Sequence, residues 1–489
     1  MEYEAVIGLE VHVQIGTKSK LFSKCTYAFA SPPNTLTDPV VLGLPGTLPV
    51  INEKAVLATI KAGIIFGCDI AEVAKWDRKN YFYPDCPKNY QISQNSDPIC
   101  RNGCVEIELP GPSRNVMGEH RNIALERIHL EEDVGKLTHF EEDSGVDFNR
   151  AGVPLMEIVS KPDMHSSEEA FAYLNSLRMH MAYAGISNCD MEKGEMRCDA
   201  NVSVRPSGEI QLGTKVEIKN LNSISGVKNS IEFEIKRQIE ALESGEKIFQ
   251  ETRRWDANLC TTTVLRSKET AFDYRYFPDP DLMPIEISSE TRKEIQSQIP
   301  ELPFAKQERF FRQYNLPYTV TSVICPKRTL GDFFENTVAV HNNPHTIANI
   351  VANDMLREIS MQNNSSEEIT ADPLKNFKVS PKNLANLVQL IDDGTISKQI
   401  AQNVFIEMFQ SGESAEKIIE AKGLKQNANA DELLAICQLA IAKNEKAANE
   451  FRAGKDAAIN AIKGFVMKET RGKANPLIID SALRELLRS

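Results

Sequence analysis

The residues best equipped for chemistry lie in four segments where charged side chains recur at every second position. Glu10, His12 and Gln14 alternate with Leu9, Val11, Val13 and Ile15. Successive side chains of a strand point to opposite faces, so the three polar residues share one face. A carboxylate and an imidazole two residues apart on that face can reach one divalent cation. The segment Arg197 to Arg205 puts Asp199, Asn201, Ser203 and Arg205 together in the same way, and Lys215, Glu217 and Lys219 form a third set. The fourth segment, Arg127 to Asp133, ends in three carboxylates, Glu131, Glu132 and Asp133. Carboxylates hold Mg²⁺ while lysine and arginine hold phosphates, the mixture that phosphoryl transfer uses. An antiparallel sheet with one solvated face gives the same patterns, and spacing alone does not make the four segments meet.

The elements that must position these residues follow from periodicity. Residues 1 to about 290 read as strand-rich, with period-two segments separated by loops of Gly, Pro and Asn. Two helices interrupt them. One covers 168–184. The other carries Ile231, Ile235, Ile239 and Leu242 at helical spacing and stops at Gly245. Ile299-Pro300-Glu301-Leu302-Pro303 reads as a hinge, and helical periodicity dominates beyond it. Polar stretches at Gln362–Glu368 and Lys425–Asp431 read as loops. Helices are expected over Leu384–Ile391 and Ile396–Phe409, with a turn at Asp393-Gly394, and again from the second loop to the end. The fold class is α+β.

Composition narrows the possibilities. The 489 residues suit about three domains. No stretch approaches the roughly 18 uninterrupted apolar residues of a membrane helix. The acidic start, Met1-Glu2-Tyr3-Glu4, has the form of neither a signal nor a transit peptide, so a cytoplasmic protein is expected. Ten cysteines are scattered with no C-x-x-C pair. Reduced or buried thiols are the expectation, with Cys100 and Cys104 as the closest pair. A net charge of −12 argues against nucleic-acid binding by the chain as a whole, but Phe451–Ser489 carries eight Lys/Arg against four Asp/Glu. Such a segment is either a phosphate-contacting surface or a solvated helical face. There is no G-x-x-x-x-G-K-S/T loop for a nucleotide and no G-x-S-x-G elbow, so nothing supports an amidase reaction on this chain.

At these same segments the sequence resembles the GatB family, the B subunits of the aspartyl/glutamyl-tRNA(Asn/Gln) amidotransferases. The matching stretches begin with Ile7-Gly8-Leu9-Glu10-Val11-His12-Val13-Gln14, Asp77-Arg78-Lys79-Asn80-Tyr81-Phe82-Tyr83-Pro84-Asp85 and Gln91-Ile92-Ser93-Gln94. His129-Leu130-Glu131-Glu132-Asp133-Val134-Gly135-Lys136, Asn149-Arg150-Ala151-Gly152-Val153-Pro154-Leu155 and Arg197-Cys198-Asp199-Ala200-Asn201-Val202-Ser203 follow. Glu217-Ile218-Lys219-Asn220-Leu221-Asn222-Ser223, Asp273-Tyr274-Arg275-Tyr276-Phe277-Pro278 and Arg471-Gly472-Lys473-Ala474-Asn475-Pro476 close the series. They run in family order along essentially the whole chain.

The resemblance implies a cradle-shaped catalytic domain over 1–293, a helical domain over 294–408 and a helical, YqeY-like, tRNA-binding tail over 409–489. It implies a heterotrimer in which the partners are an amidase and a small third protein. The amidase would release ammonia from glutamine. This chain would use ATP and Mg²⁺ to phosphorylate the side-chain carboxylate of misacylated Glu-tRNA(Gln) or Asp-tRNA(Asn), and ammonia would then displace phosphate. Carried onto this sequence, the resemblance gives metal and ATP roles to Glu10, His12, Glu132, Asp199 and Glu217, with the metal on Glu10, His12, Glu132 and Glu217. Glu131 competes with Glu132 for the ligand role. Lys79, Arg150 and Lys215 are expected to contact anions. Many relatives carry a zinc quartet, C-x-C then C-P-x-C. Here those positions read Ser23-Lys24-Cys25 and Asp38-Pro39-Val40-Val41, so no zinc is expected.

Overall fold

The computed structural model describes residues 2–267, 274–362, 373–374, 377–424, 430–470 and 476–488. It divides into two compact units, Met1–Ala305 and Lys306–Ser489.

Unit 1 is built on strands β1 (Tyr3–Gln14), β2 (Asp77–Asn80), β3 (Tyr90–Ser93), β4 (His120–Glu132), β5 (Pro154–Ser160), β6 (Met196–Pro206), β7 (Val216–Leu221), β8 (Glu251–Asp256) and β9 (Thr261–Ser267). Its helices are α1 (Glu53–Ile65), α2 (Ser167–Tyr183) and α3 (Ile224–Ser244). The large sheet runs β9-β8-β7-β6-β1-β5-β4, then two short strands, Cys100–Arg101 and Asp69–Ile70; Cys104–Glu108 pairs with the first half of β4. Pairing is antiparallel except between β7 and β8. Parallel strands need a crossover, and α3 supplies it.

The alternation read in the sequence decides which face is covered. Ile7, Leu9, Val11 and Val13 of β1 are buried in one core with Tyr173, Leu174, Leu177 and Met181 of α2 and Val227 and Ile231 of α3. Each such side chain stabilises the fold by about 1.5–3 kcal/mol on burial. The helices therefore stay on that face, and the opposite face keeps the polar residues. Their ends are set locally. Ser166 Oγ accepts from Glu169 N at 3.1 Å, and Ser223 Oγ accepts from Gly226 N at 2.9 Å. Gly245, at φ +76°, closes α3 in the left-handed region where glycine meets no steric penalty. Helix α1 was not legible as a helix. Asn52 starts it by accepting from Lys54 N, and Ala55, Val56, Ile60 and Ala62 join the core. A small sheet of β2, β3 and Phe277–Pro278 carries Lys79.

Unit 2 is helical, as its periodicity indicates. Helices Pro381–Asp392 and Lys398–Ser411 flank the expected turn at Asp393-Gly394. One apolar core runs from Phe310 through Ile418 and Ile419, so it continues past residue 408; a second joins residues from Cys437 to Leu487. The expected loops fall largely outside the described residues. Gln362 ends helix Leu356–Gln362, and Ala430 and Asp431 open helix Ala430–Lys443. Asp273 and Arg471 to Asn475 also lie outside them.

Candidate active site

Register organises the polar face of the large sheet. Glu157 on β5 stands directly opposite His129 of β4 on one side and His12 of β1 on the other. His12 in turn opposes Arg197 of β6, and Glu10 opposes Asp199. Directly opposed residues point to the same side, with Cβ atoms about 4.5–5.5 Å apart. A row His129–Glu157–His12–Arg197 thus crosses four strands, and Glu131, two residues beyond His129, lies beside it.

The side chains converge. His12 Nε2 lies 3.2 Å from Glu157 Oε2, 3.7 Å from Glu10 Oε1 and 3.9 Å from Glu131 Oε1. His129 Nε2 lies 3.6 Å from Glu157 and 3.8 Å from Glu131. Ser93 Oγ on β3 donates to Glu131 at 3.0 Å, and Lys79 Nζ on β2 approaches the same carboxylate at 3.7 Å. Donor atoms of Glu10, His12 and Glu157 lie within 4.8 Å of one another, as do those of His129, Glu131 and Glu157. His129, Glu131 and Glu157 form a sealed floor, while the Glu10 side chain remains 34% exposed, so the site opens on the β1 side.

So many carboxylates in one place control the charge. Burial alone would hold His12 neutral. Its hydrogen bond to Glu157, with the charges of Glu157, Glu131 and Glu10, more than offsets that and raises it to about 9. Burial would also protonate Glu157, but His129, His12 and Lys79 hold it well below the usual carboxylate range. Glu131 is lowered against burial by Lys79 and His129. Glu10 is raised, by burial first and then by Glu157. Lys79 keeps its proton above the usual range; burial opposes this, but Glu131 and Glu157 outweigh it.

Each of the two groups, joined at Glu157, holds a pair of carboxylates, and such pairs suit an oxygen-seeking dication such as Mg²⁺. The imidazoles are weaker partners for it and equally serve as hydrogen-bond donors that orient the carboxylates.

The sequence-derived candidates divide. Glu10, His12 and Lys79 belong to the cluster. Glu132 does not. It is one residue out of phase with His129 and Glu131, so its side chain leaves the opposite face. There it pairs with Lys88 and accepts from Ile92 N at 2.9 Å. Asp199 pairs with Lys219, which also approaches Glu217 at 3.4 Å, and Glu217 accepts from Thr252 Oγ1 at 2.8 Å. These three form a second charged group beside Glu10. Arg150 donates to the carbonyls of Val134 and Gly135 at 3.0 and 2.7 Å and lies 3.6 Å from Asp133. Lys215 is exposed ahead of β7. Sequence reasoning missed Glu157 and did not use His129. The available signal was one acidic residue in the otherwise apolar run Pro154-Leu155-Met156-Glu157-Ile158-Val159, and the His129-x-Glu131 spacing that mirrors Glu10-x-His12.

Known proteins share this arrangement of sequence. The GatB/GatE catalytic domain matches residues 5–293, and the GatB domain matches residues 332–487. The aspartyl/glutamyl-tRNA(Asn/Gln) amidotransferase B subunit of Opitutus terrae is 59% identical, over 100% of this chain and 99% of its own length. That of Thermoanaerobacter pseudethanolicus is 48% identical, over 100% of both chains. That of Carboxydothermus hydrogenoformans is also 48% identical, over 99% of both. The ordered motifs, the paired domain matches and the full-length identity have one meaning: this chain belongs to the GatB family, the B subunits of tRNA-dependent amidotransferases.

Proposed function

We propose that this chain activates the side-chain carboxylate of misacylated Glu-tRNA(Gln), Asp-tRNA(Asn) or both by ATP-dependent phosphorylation, before ammonia from a partner amidase converts it to the amide. A carboxylate is a poor acyl donor, and phosphorylation gives it a leaving group. The difficulty is electrostatic, because the substrate carboxylate and the γ-phosphate repel one another. The observation that carries the reading is the pair of groups Glu10–His12–Glu157 and His129–Glu131–Glu157, joined at Glu157 with Lys79 beside Glu131, in a chain of this family.

Glu10, Glu131 and Glu157 would hold Mg²⁺, with Glu131 taking the place given above to Glu132. Bound there, the ion supplies positive charge at the meeting point of the two anions. His12 and His129 orient the carboxylates. Lys79 adds a cation held by Glu131, while Asp199, Glu217 and Lys219 form the adjoining wall. Arg150, fastened to two carbonyls, stands behind Asp133. The tail over 409–489 would hold the tRNA, with the helical region over 294–408 before it, and the assembly would be a cytoplasmic heterotrimer with an amidase and a small third protein.

The test is reconstitution with both partners, using ATP labelled in the γ-phosphate and each misacylated tRNA in turn. ATP consumption should require Mg²⁺ and a misacylated tRNA, and amide should form when glutamine is added. Amide formation without ATP, or ATP consumption indifferent to the aminoacyl group, would overturn the reading.

A further inference from the structure

The row of opposed residues does not end at His12. It continues to Arg197, directly across the β1–β6 pair. Arg197 gives one Nη2–H to Asp133 Oδ2 at 2.7 Å, and Asp133 is buried and itself held by Gln14 Nε2 at 3.0 Å. The guanidinium is therefore anchored on a fixed carboxylate. An arginine fork carries five N–H donors, and Asp133 is the acceptor that uses it among the described residues; Nε is buried without a partner, so the donors left for a ligand are those of Nη1 and the second N–H of Nη2. Yet 37% of the side chain is exposed.

The neighbouring cations are committed. Lys79 approaches Glu131 and sits over the Tyr274 ring, with 18% exposure. Lys219 bridges Asp199 and Glu217. Lys88 is taken by Glu132. Arg150 spends both Nε and Nη2 on backbone carbonyls. Arg197, by contrast, is anchored beside the Glu10–His12–Glu157 group with donors left over. A planar fork matches two oxygens of a carboxylate or a phosphoryl group better than an ammonium does. Anchoring one edge in advance lowers the ordering cost of binding with the other.

We propose that Arg197 is an oxyanion clamp, which binds a carboxylate or terminal phosphoryl group through its unused guanidinium N–H groups at the edge of the Glu10–His12–Glu157 cluster. This rests on the phosphorylation reading above, and it names a binding residue which that reading does not contain. The substrate's own carboxylate and the γ-phosphate of ATP are the two sources of that oxyanion.

The experiment uses Arg197→Lys in the full reconstituted complex. Lysine keeps a positive charge for Asp133 but loses the fork. The KM for ATP or for Glu-tRNA(Gln) should rise on the order of tenfold or more, the scale of a charged hydrogen bond. Thermal unfolding and Mn²⁺ binding should stay as in the wild type. A rise confined to ATP identifies the phosphoryl group; a rise confined to the tRNA identifies the carboxylate. Should the lysine variant unfold early, the double variant Asp133→Asn, Arg197→Gln carries the same test with a neutral pair. A folded variant in which neither KM moves, whatever happens to kcat, overturns the clamp. Wild-type complex that shows no ATP-dependent activation overturns the parent reading instead, so the two failures are distinguishable.

Discussion

Changing pH between 7 and 9.5 should change the affinity of this site for Mg²⁺, because a proton occupies it first. Without metal, His12 titrates at about 9, held charged by Glu157, Glu131 and Glu10. A dication placed among those carboxylates removes the charge that holds the proton and repels the imidazolium itself. Metal binding and His12 protonation are therefore competitive. The sign follows: affinity rises with pH up to about 9 and levels off above it. At pH 7 about 1% of His12 is neutral and at pH 8 about 10%, so each unit gained is worth about tenfold, or about 1.4 kcal/mol. At pH 7 binding should release about one proton. The converse holds for the metal-free fold. A raised His12 stabilises it fully below pH 6.5, and that contribution is lost as pH rises through about 9. The assay is titration calorimetry of the full chain with Mg²⁺ or Mn²⁺ in buffers of different ionisation enthalpy. Glu10 is itself raised, by burial and by Glu157, so the comparison with His12→Gln is what assigns the slope to His12. His12→Gln should bind with an affinity that no longer varies across this pH range. A wild-type affinity flat between pH 7 and 9, or a slope that survives in His12→Gln, refutes the reasoning.

Other expectations are simpler to state. Glu131→Gln and Glu157→Gln should each cost about 10-fold or more in metal affinity. Glu132→Gln should leave metal affinity alone and instead destabilise the fold by about 3 kcal/mol, because it breaks a buried pair with Lys88; metal titration and chemical denaturation of the three variants check the split. Elemental analysis of purified chain should show no stoichiometric zinc, since Asp38 already accepts from Val41 N and Ser23 from Cys25 N, and Cys25 stands without the other three thiols of a structural site. Truncation after Leu424, which keeps the core that reaches Ile419, should weaken tRNA binding by the assembled enzyme and flatten its salt dependence while ATP binding survives. Within that tail Lys455, Lys463 and Arg484 pair with Glu450, Asp480 and Asp456, whereas Arg452 and Lys468 make no ion pair among the described residues. Reversing charge at Arg452 and Lys468 should therefore reproduce more of the loss than reversing it at Lys455, by tRNA titration at two salt concentrations.

How much of this was written legibly in the sequence depends on which physical rule each residue obeys. Alternation along one strand is local, so Glu10 and His12 could be placed on one face from β1 alone. The covered face could be read as well, because Leu9, Val11 and Val13 need burial and helices α2 and α3 carry the apolar stripes that supply it. Phase within a strand was equally available but was outweighed by charge. Glu131 and Glu132 both looked like ligands, although only Glu131 keeps step with His129; Asp133 shares that phase but is taken by Arg197 and Gln14. What no local rule contains is register. Glu157 becomes a site residue because β5 is hydrogen-bonded on both sides, to β4 and to β1, at the offset that sets it opposite His129 and His12 at once. Pairing of strands as far apart in the chain as β1 and β5 is decided by the whole core, with the turn at Gly152, φ +82°, returning the chain after β4. A single glutamate in an apolar strand is costly to bury unless it is paired or coordinated. That cost is readable in any sequence, and here it marked the residue on which two imidazoles and both candidate ligand groups converge.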